Sequence, residues 1–241
     1  MGVVDIKFNP SGNILAVSSL DSYIRVWNVD EGQKICEFPC QPLHNWKLGF
    51  KDEKTVVTTG EQGKIAEFNI NSQQQTNIYS TSDVFQTSLA LSSDRSKLLS
   101  VGNNEGQIFI VDYKNNRKID KLKVHNKKVR SLCFTYDDMQ LITGSDDNFI
   151  SLIDLTKMET IFSFNGHKGN VNCVDCCPID NKLFITCSYD QTIKLWDINK
   201  KSCIETVKFH QDNIWAVKFH PHKKIFGSVS EDGILAFHEL K

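Results

Sequence analysis

Apolar residues along this chain fall into short runs of alternating character, separated by polar turns rich in Asp, Asn, Ser and Gly, the signature of β-strands joined by tight connections. The runs return at a fixed interval. An acidic or amide residue stands three positions before an apolar run at Asp21 (before Ile24-Arg25-Val26-Trp27), Gln62 (before Ile65-Ala66-Glu67-Phe68), Glu105 (before Ile108-Phe109-Ile110-Val111), Asp147, Asp190 and Asp232, in steps of 41, 43, 42, 43 and 42 residues. The regularity covers the chain and leaves no segment for a second kind of domain, so residues 1–241 are expected to form one domain of six repeats.

Within the fifth repeat the runs are Val171 to Cys176, Phe184 to Ser188, Thr192 to Asp197 and Cys203 to Lys208, which predicts a four-stranded meander. Such a sheet cannot hide both faces alone, so successive sheets must stack and bury their Val, Ile, Leu and Phe between them. A period near forty-two residues with four strands per unit predicts an all-β propeller.

The polar positions fit this picture. His125, His167 and His210 precede inner strands and lie 22, 23 and 22 residues before Asp147, Asp190 and Asp232. A hydroxyl stands four residues before each of those acids, at Thr143, Thr186 and Ser228, and Trp196 follows Asp190 by six. Donors and acceptors then close as a chain from indole N–H to hydroxyl, hydroxyl to imidazole, and imidazole N–H to carboxylate. These groups imitate a catalytic triad, but an enzyme needs one site, whereas a stacked array needs the same clasp in each unit. The sets are therefore expected to be structural, with no catalytic residue, metal or cofactor.

Gly166-His167 followed by Trp196-Asp197 resembles the signature of WD-repeat propellers, across the whole chain. The fifth repeat alone keeps His, Thr, Asp and Trp together; the fourth has Ile153 and the sixth His238 at the tryptophan position, and Gln62 and Glu105 replace the turn aspartate in the second and third. Those early blades are expected to lean on packing. The stretches Ser18-Ser19-Leu20-Asp21, Asn45-Trp46-Lys47-Leu48-Gly49-Phe50, Val129-Arg130-Ser131-Leu132-Cys133-Phe134 and His210 through Phe219 are similar to the family of WD-repeat subunits of the superkiller complex, which in animals also serve the RNA polymerase II-associated factor complex.

That resemblance implies a seven-bladed ring, of which this chain would lack one blade and the closing strand, leaving an edge and a face that promote self-association. It also implies two rim positions per blade. One lies at the start of the inner strand (Val4, Trp46, Thr87, Arg130, Asn172, Trp215) and the other just before the turn acid (Leu20, Glu61, Asn104, Asp146, Tyr189, Glu231). Aromatics with a polar tip and arginine most often anchor interfaces, which singles out Trp46, Arg130, Tyr189 and Trp215, then Leu20 and Asp146. The partners implied are a tetratricopeptide scaffold subunit with an RNA helicase, serving exosome-dependent mRNA decay, and polymerase-associated factor subunits in transcription elongation and histone modification, in the cytoplasm and the nucleus. A ubiquitin-ligase substrate receptor and an RNA-binding propeller are the alternatives.

Net charge is −1, from 28 basic and 29 acidic residues, so no global field draws the chain to nucleic acid or a membrane. The basic run Lys114, Arg117, Lys118, Lys121, Lys123, Lys127, Lys128 and Arg130 has no interleaved aromatics for base stacking, and a solvated outer edge is expected there. No apolar run approaches the roughly 18 residues of a membrane span. The eight cysteines are expected to be reduced in a soluble intracellular protein, with Cys173, Cys176 and Cys177 packing an inner strand rather than holding zinc.

Overall fold

The computed structural model describes residues 2–42, 44–94, 98–113 and 118–240, without the side chains of 98 and 118. Its strands form six antiparallel sheets, each a meander. The first four are Val3–Phe8, Ile14–Ser19, Tyr23–Asn28 and Lys34–Pro39; then Lys47–Phe50, Thr55–Thr59, Lys64–Asn69 and Gln74–Ser80; then Gln86–Leu91, Leu98–Asn103, Gln107–Asp112 and Lys118–Lys123; then Val129–Phe134, Gln140–Ser145, Ile150–Asp154 and Glu159–Phe164. The fifth is Val171–Cys176, Leu183–Ser188, Ile193–Asp197 and Ser202–Val207, and the sixth has three strands, Ile214–Phe219, Ile225–Ser230 and Leu235–Glu239. No α-helix occurs among the described residues. The contacts divide into two units, Met1–Asn104 with Phe109–Lys121, and Glu105–Ile108 with Leu122–Lys241.

In the first unit Ile24, Val26 and Phe38 of the first blade pack on Leu48, Phe50, Val56, Ala66 and Phe68 of the second. Val57 and Ile65 then meet Leu99, Val101, Phe109 and Val111 of the third. The second unit repeats the pattern: Ile142, Ile150, Leu152 and Phe164 pack on Val171, Val174, Phe184 and Trp196, and Ile185, Cys187 and Ile193 on Ile214, Val217, Phe219 and Phe226. Alternate residues of each strand supply this burial because side chains point to opposite faces with period two.

Inner strands of neighbouring blades are also tied by polar contacts. The Leu48 N–H donates to Asp5 Oδ2 at 3.0 Å, the Val174 N–H to Ser131 Oγ at 3.1 Å, and the Phe219 N–H to Asp175 Oδ2 at 2.8 Å. Innermost strands converge and lack full ladders to both sides, so side-chain oxygens take N–H groups that would otherwise be stranded.

One buried cluster departs from the apolar pattern. Glu67 occupies the position held by Val26, Ile110 and Leu152 in other repeats, and it is buried. It accepts from Lys51 Nζ at 3.3 Å, Asn77 Nδ2 at 2.8 Å and the Tyr79 hydroxyl at 3.3 Å, while Tyr79 and Tyr113 share a 2.8 Å hydrogen bond. Burial, reinforced by Tyr79 and Glu67, pushes the Tyr113 phenol far above its ordinary range. The second blade, without a histidine clasp, thus joins the third through a carboxylate and two phenols as well as through packing.

Candidate functional site

Two recurring sets of residues distinguish the blades, the clasps and the rim positions. Each clasp is complete in the second unit. His125 Nε2 meets Thr143 Oγ1 at 2.7 Å and its Nδ1 meets Asp147 at 3.1 Å; His167 meets Thr186 at 2.7 Å and Asp190 at 2.9 Å; His210 meets Ser228 at 2.8 Å and Asp232 at 2.8 Å. The same carboxylates accept the backbone N–H of Asn126, Lys168 and Gln211. Trp196 Nε1 donates to Thr186 Oγ1 at 2.8 Å. Burial raises the Asp147 and Asp232 carboxyls, but the ring and backbone donors outweigh it and hold both at about 2; Asp190 is held lower still.

The sixth blade differs from the sequence expectation in an instructive way. His238 takes the tryptophan's part, with Nε2 2.9 Å from Ser228 Oγ, and its ring stacks on Phe226 as Trp196 stacks on Phe184. A second imidazole nitrogen thus stands where the fifth blade has an indole N–H. Gly166, before the histidine of the fifth blade, leaves room for the indole, because a Cβ there would sit 3.0 Å from the Trp196 ring.

In the first blade Asp21 has a different partner. Arg25 donates to it at 2.7 Å and, as the main cause, draws its carboxyl down to about 2. In the second blade Pro39-Cys40-Gln41 replaces the histidine loop, and Thr58 donates instead to the carbonyls of His44 and Lys47. A cleft of about 310 Å³ lies there, lined by Cys40, His44, Thr58, Lys64, Phe68 and neighbours.

The rim positions share a backbone device that the sequence did not announce. In five blades the residue at the second position of the inner strand, or its counterpart, is skipped by the ladder: Val4, Thr87, Arg130, Asn172 and Trp215. Such a bulge frees the extra residue from pairing and re-aims its side chain. The residue before the turn acid is tied to the same place. Leu20 N–H donates to Gly2 O, Asn104 to Phe85 O, Asp146 to Lys128 O, Tyr189 to Asn170 O and Glu231 to Asn213 O. Both rim positions of a blade therefore lie at one end of the sheet, side by side.

Their surroundings differ. Tyr189 is 55% exposed, Leu20 56% and Trp215 49%. Arg130 and Asp146 are not independent anchors, because the guanidinium is paired with that carboxylate. Trp46 belongs to the one blade without the bulge; it precedes the strand and packs edge-on against Phe85, ring centroids 5.4 Å apart. Thr87 and Asn172 are buried; Asn172 donates to the Ile214 carbonyl of the next blade at 2.8 Å, and Thr87 to the Gly102 carbonyl of its own blade at 3.2 Å. Of the basic run, Lys114 and Arg117 lie outside the described residues; Lys123 contacts the Glu105 carbonyl and Lys121 lies over the Phe109 ring.

The sequence profile of the WD domain, G-beta repeat family matches residues 1–28, 116–154, 158–197 and 201–238. Relatives include WD repeat-containing protein SL1-17 of Schistosoma mansoni, 29% identical over 236 residues covering 96% of this chain and 77% of the relative. The striatin homologue of Dictyostelium discoideum is 24% identical over 207 residues, 78% of this chain and 25% of the relative. The guanine nucleotide-binding protein subunit beta of Zea mays is 24% identical over 253 residues, all of this chain and 62% of the relative. The chain thus spans about three quarters of the first relative's length and a quarter of the second's. With its repeats, its clasps and a match over more than half its length, the chain belongs to the WD-repeat family of β-propellers.

Proposed function

We propose that this chain is a non-catalytic adaptor that holds an extended peptide segment of a larger subunit on the rim built by its inner-strand bulges. The observation that carries this is the exposure of Trp215 and Tyr189, both aromatic residues with a polar tip, at the sheet end where every bulged blade presents its unpaired residue. Large aromatics held on rigid strands lose little conformational freedom on binding, which is why they carry interface energy. The recurrence of the histidine clasp in three blades supports the absence of catalysis, since the members of each set are engaged with one another. The resemblance at Trp46, Arg130 and the Trp215 strand supports a superkiller-type assembly, with a tetratricopeptide scaffold and an RNA helicase as partners and with cytoplasmic and nuclear pools. The polymerase-associated factor complex is the second assembly the same resemblance supports.

Affinity purification of the full endogenous protein followed by mass spectrometry tests the assembly: a helicase and a tetratricopeptide scaffold are expected, and ubiquitin-ligase subunits in their place overturn it. The rim is tested separately. Trp215→Ala is expected to weaken partner binding about tenfold to a hundredfold with unchanged β-sheet circular dichroism. Unchanged affinity with the fold intact places the interface elsewhere.

A further inference from the structure

Of the eight cysteines, several have a hydrogen-bond acceptor of their own. Cys173 donates to the Val217 carbonyl at 3.5 Å, Cys187 to the Ile214 carbonyl at 3.4 Å and Cys203 to the Glu205 carbonyl at 3.2 Å. Cys133 and Cys176 have each other. Their sulfurs lie 2.8 Å apart, although they stand on the inner strands of different blades, Val129–Phe134 and Val171–Cys176.

Each of these thiols is partly buried against the core shared by the fourth and fifth blades. A formed S–S bond is about 2.05 Å long and requires Cβ vectors that point together, so the pair needs less than about 1 Å of further approach. The backbone around them is set independently, because the Val174 N–H is fastened to Ser131 Oγ and the blades pack through Val171, Val174, Ile150 and Leu152.

We propose that Cys133 and Cys176 form an oxidisable dithiol site, which a peroxide-class oxidant converts into a disulfide stapling the fourth blade to the fifth. One thiolate attacks the peroxide oxygen, giving a sulfenic acid and hydroxide. The second sulfur then attacks the sulfenic sulfur, its proton leaving with the departing hydroxyl as water. Overall two thiols and one hydrogen peroxide become one disulfide and two waters, with two electrons passing from sulfur to oxygen. Burial, and then the neighbouring Cys176, hold the Cys133 thiol well above the ordinary cysteine range. Little of it is therefore thiolate at neutral pH, and since the thiolate is the reactive form the oxidation is slow there and quickens as pH rises. The staple would close a loop of 43 residues between inner strands, and a cross-link of that span restrains the unfolded chain.

The test uses the whole chain in its native state. After graded hydrogen peroxide, intact mass before alkylation is expected to fall by about 2 Da, the loss of two hydrogens in the balance above, and alkylation should then add two fewer groups than to the untreated chain. Peptide mapping is expected to join Cys133 to Cys176, and a reductant should reverse the change. The oxidised form should also melt higher by several degrees, a gain that Cys133→Ser and Cys176→Ser each abolish and Cys203→Ser does not. Cross-links between other pairs, or sulfinic acid at both sulfurs without a link, would overturn the proposal. Because oxidation of the unaltered chain is the primary readout, a variant that fails to fold leaves the test intact.

Discussion

The fifth and sixth blades carry the same clasp and meet opposite fates on their far faces. In the fifth, Ile193 stands three residues after the turn acid and is 1% exposed beneath Ile214 and Val217. Its counterpart in the sixth, Leu235, is 60% exposed, and Phe237 two residues on is 73% exposed. Yet His210, Ser228 and Asp232 close to 2.8 Å, and His238 completes the set. The polar clasp is thus a property of one blade, whereas apolar burial is supplied by the neighbour. A repeat array is stabilised by both, one term intrinsic and one at the interface.

Substitutions on the two faces separate these contributions. Ile193→Ala removes a covered side chain and is expected to cost about 3 kcal/mol, while Leu235→Ala should cost under about 0.5 kcal/mol; urea midpoints of the two variants measure the difference. If the two costs are equal, the exposed face of the sixth blade is covered in solution. His167→Ala removes one partner each from the Thr186 hydroxyl and the Asp190 carboxylate and is expected to cost about 2 kcal/mol. The same denaturation experiment on His210→Ala should give a loss of similar size, since that clasp closes without a buried far face. A loss confined to the fifth blade would tie the clasp to neighbour packing.

Acid offers a milder probe. Asp147 and Asp232 are held at about 2 when folded, below the roughly 3.9 of an unfolded aspartate. Depressed carboxyls contribute stability that is full above about pH 4 and lost as pH falls through about 2. Thermal midpoints are therefore expected to decline over that window, and Asp147→Asn should flatten the decline. The smallest change in fold stability is expected from Phe237→Asp, which should nonetheless lower concentration-dependent association in sedimentation. An unchanged association constant would clear that face of any part in it.

Much of this architecture was legible in the residues. Six anchors near forty-two residues apart gave the six sheets, and strand limits in the fifth blade differ from the pattern by one residue at each shifted end, as with Leu183 in place of Phe184. The clasp followed from spacing because its members are fixed by covalent distance along one meander. What escaped were contacts made by residues at which one blade departs from the repeat. Glu67 broke an apolar pattern, but its lysine, asparagine and tyrosine partners have no common spacing in sequence. His238 looked like a lost tryptophan because residue type, not donor geometry, was what the pattern registered. The bulges were invisible for a similar reason: an unpaired residue is defined by the partner strand, and Trp215 and Asn172 have no side-chain chemistry in common.

Those bulges have a consequence for how the surface can change over time. A side chain that belongs to no cross-strand pair is released from the pairing preferences that constrain its neighbours. Trp215 can therefore be exchanged for a residue of almost any size while Ile214 and Ala216 keep their partners Ser230 and Val229. Selection can rewrite the side chains presented at these bulges, one blade at a time, along a path on which intermediates remain folded, and randomised libraries at Arg130 and Trp215 would explore the same path in the laboratory.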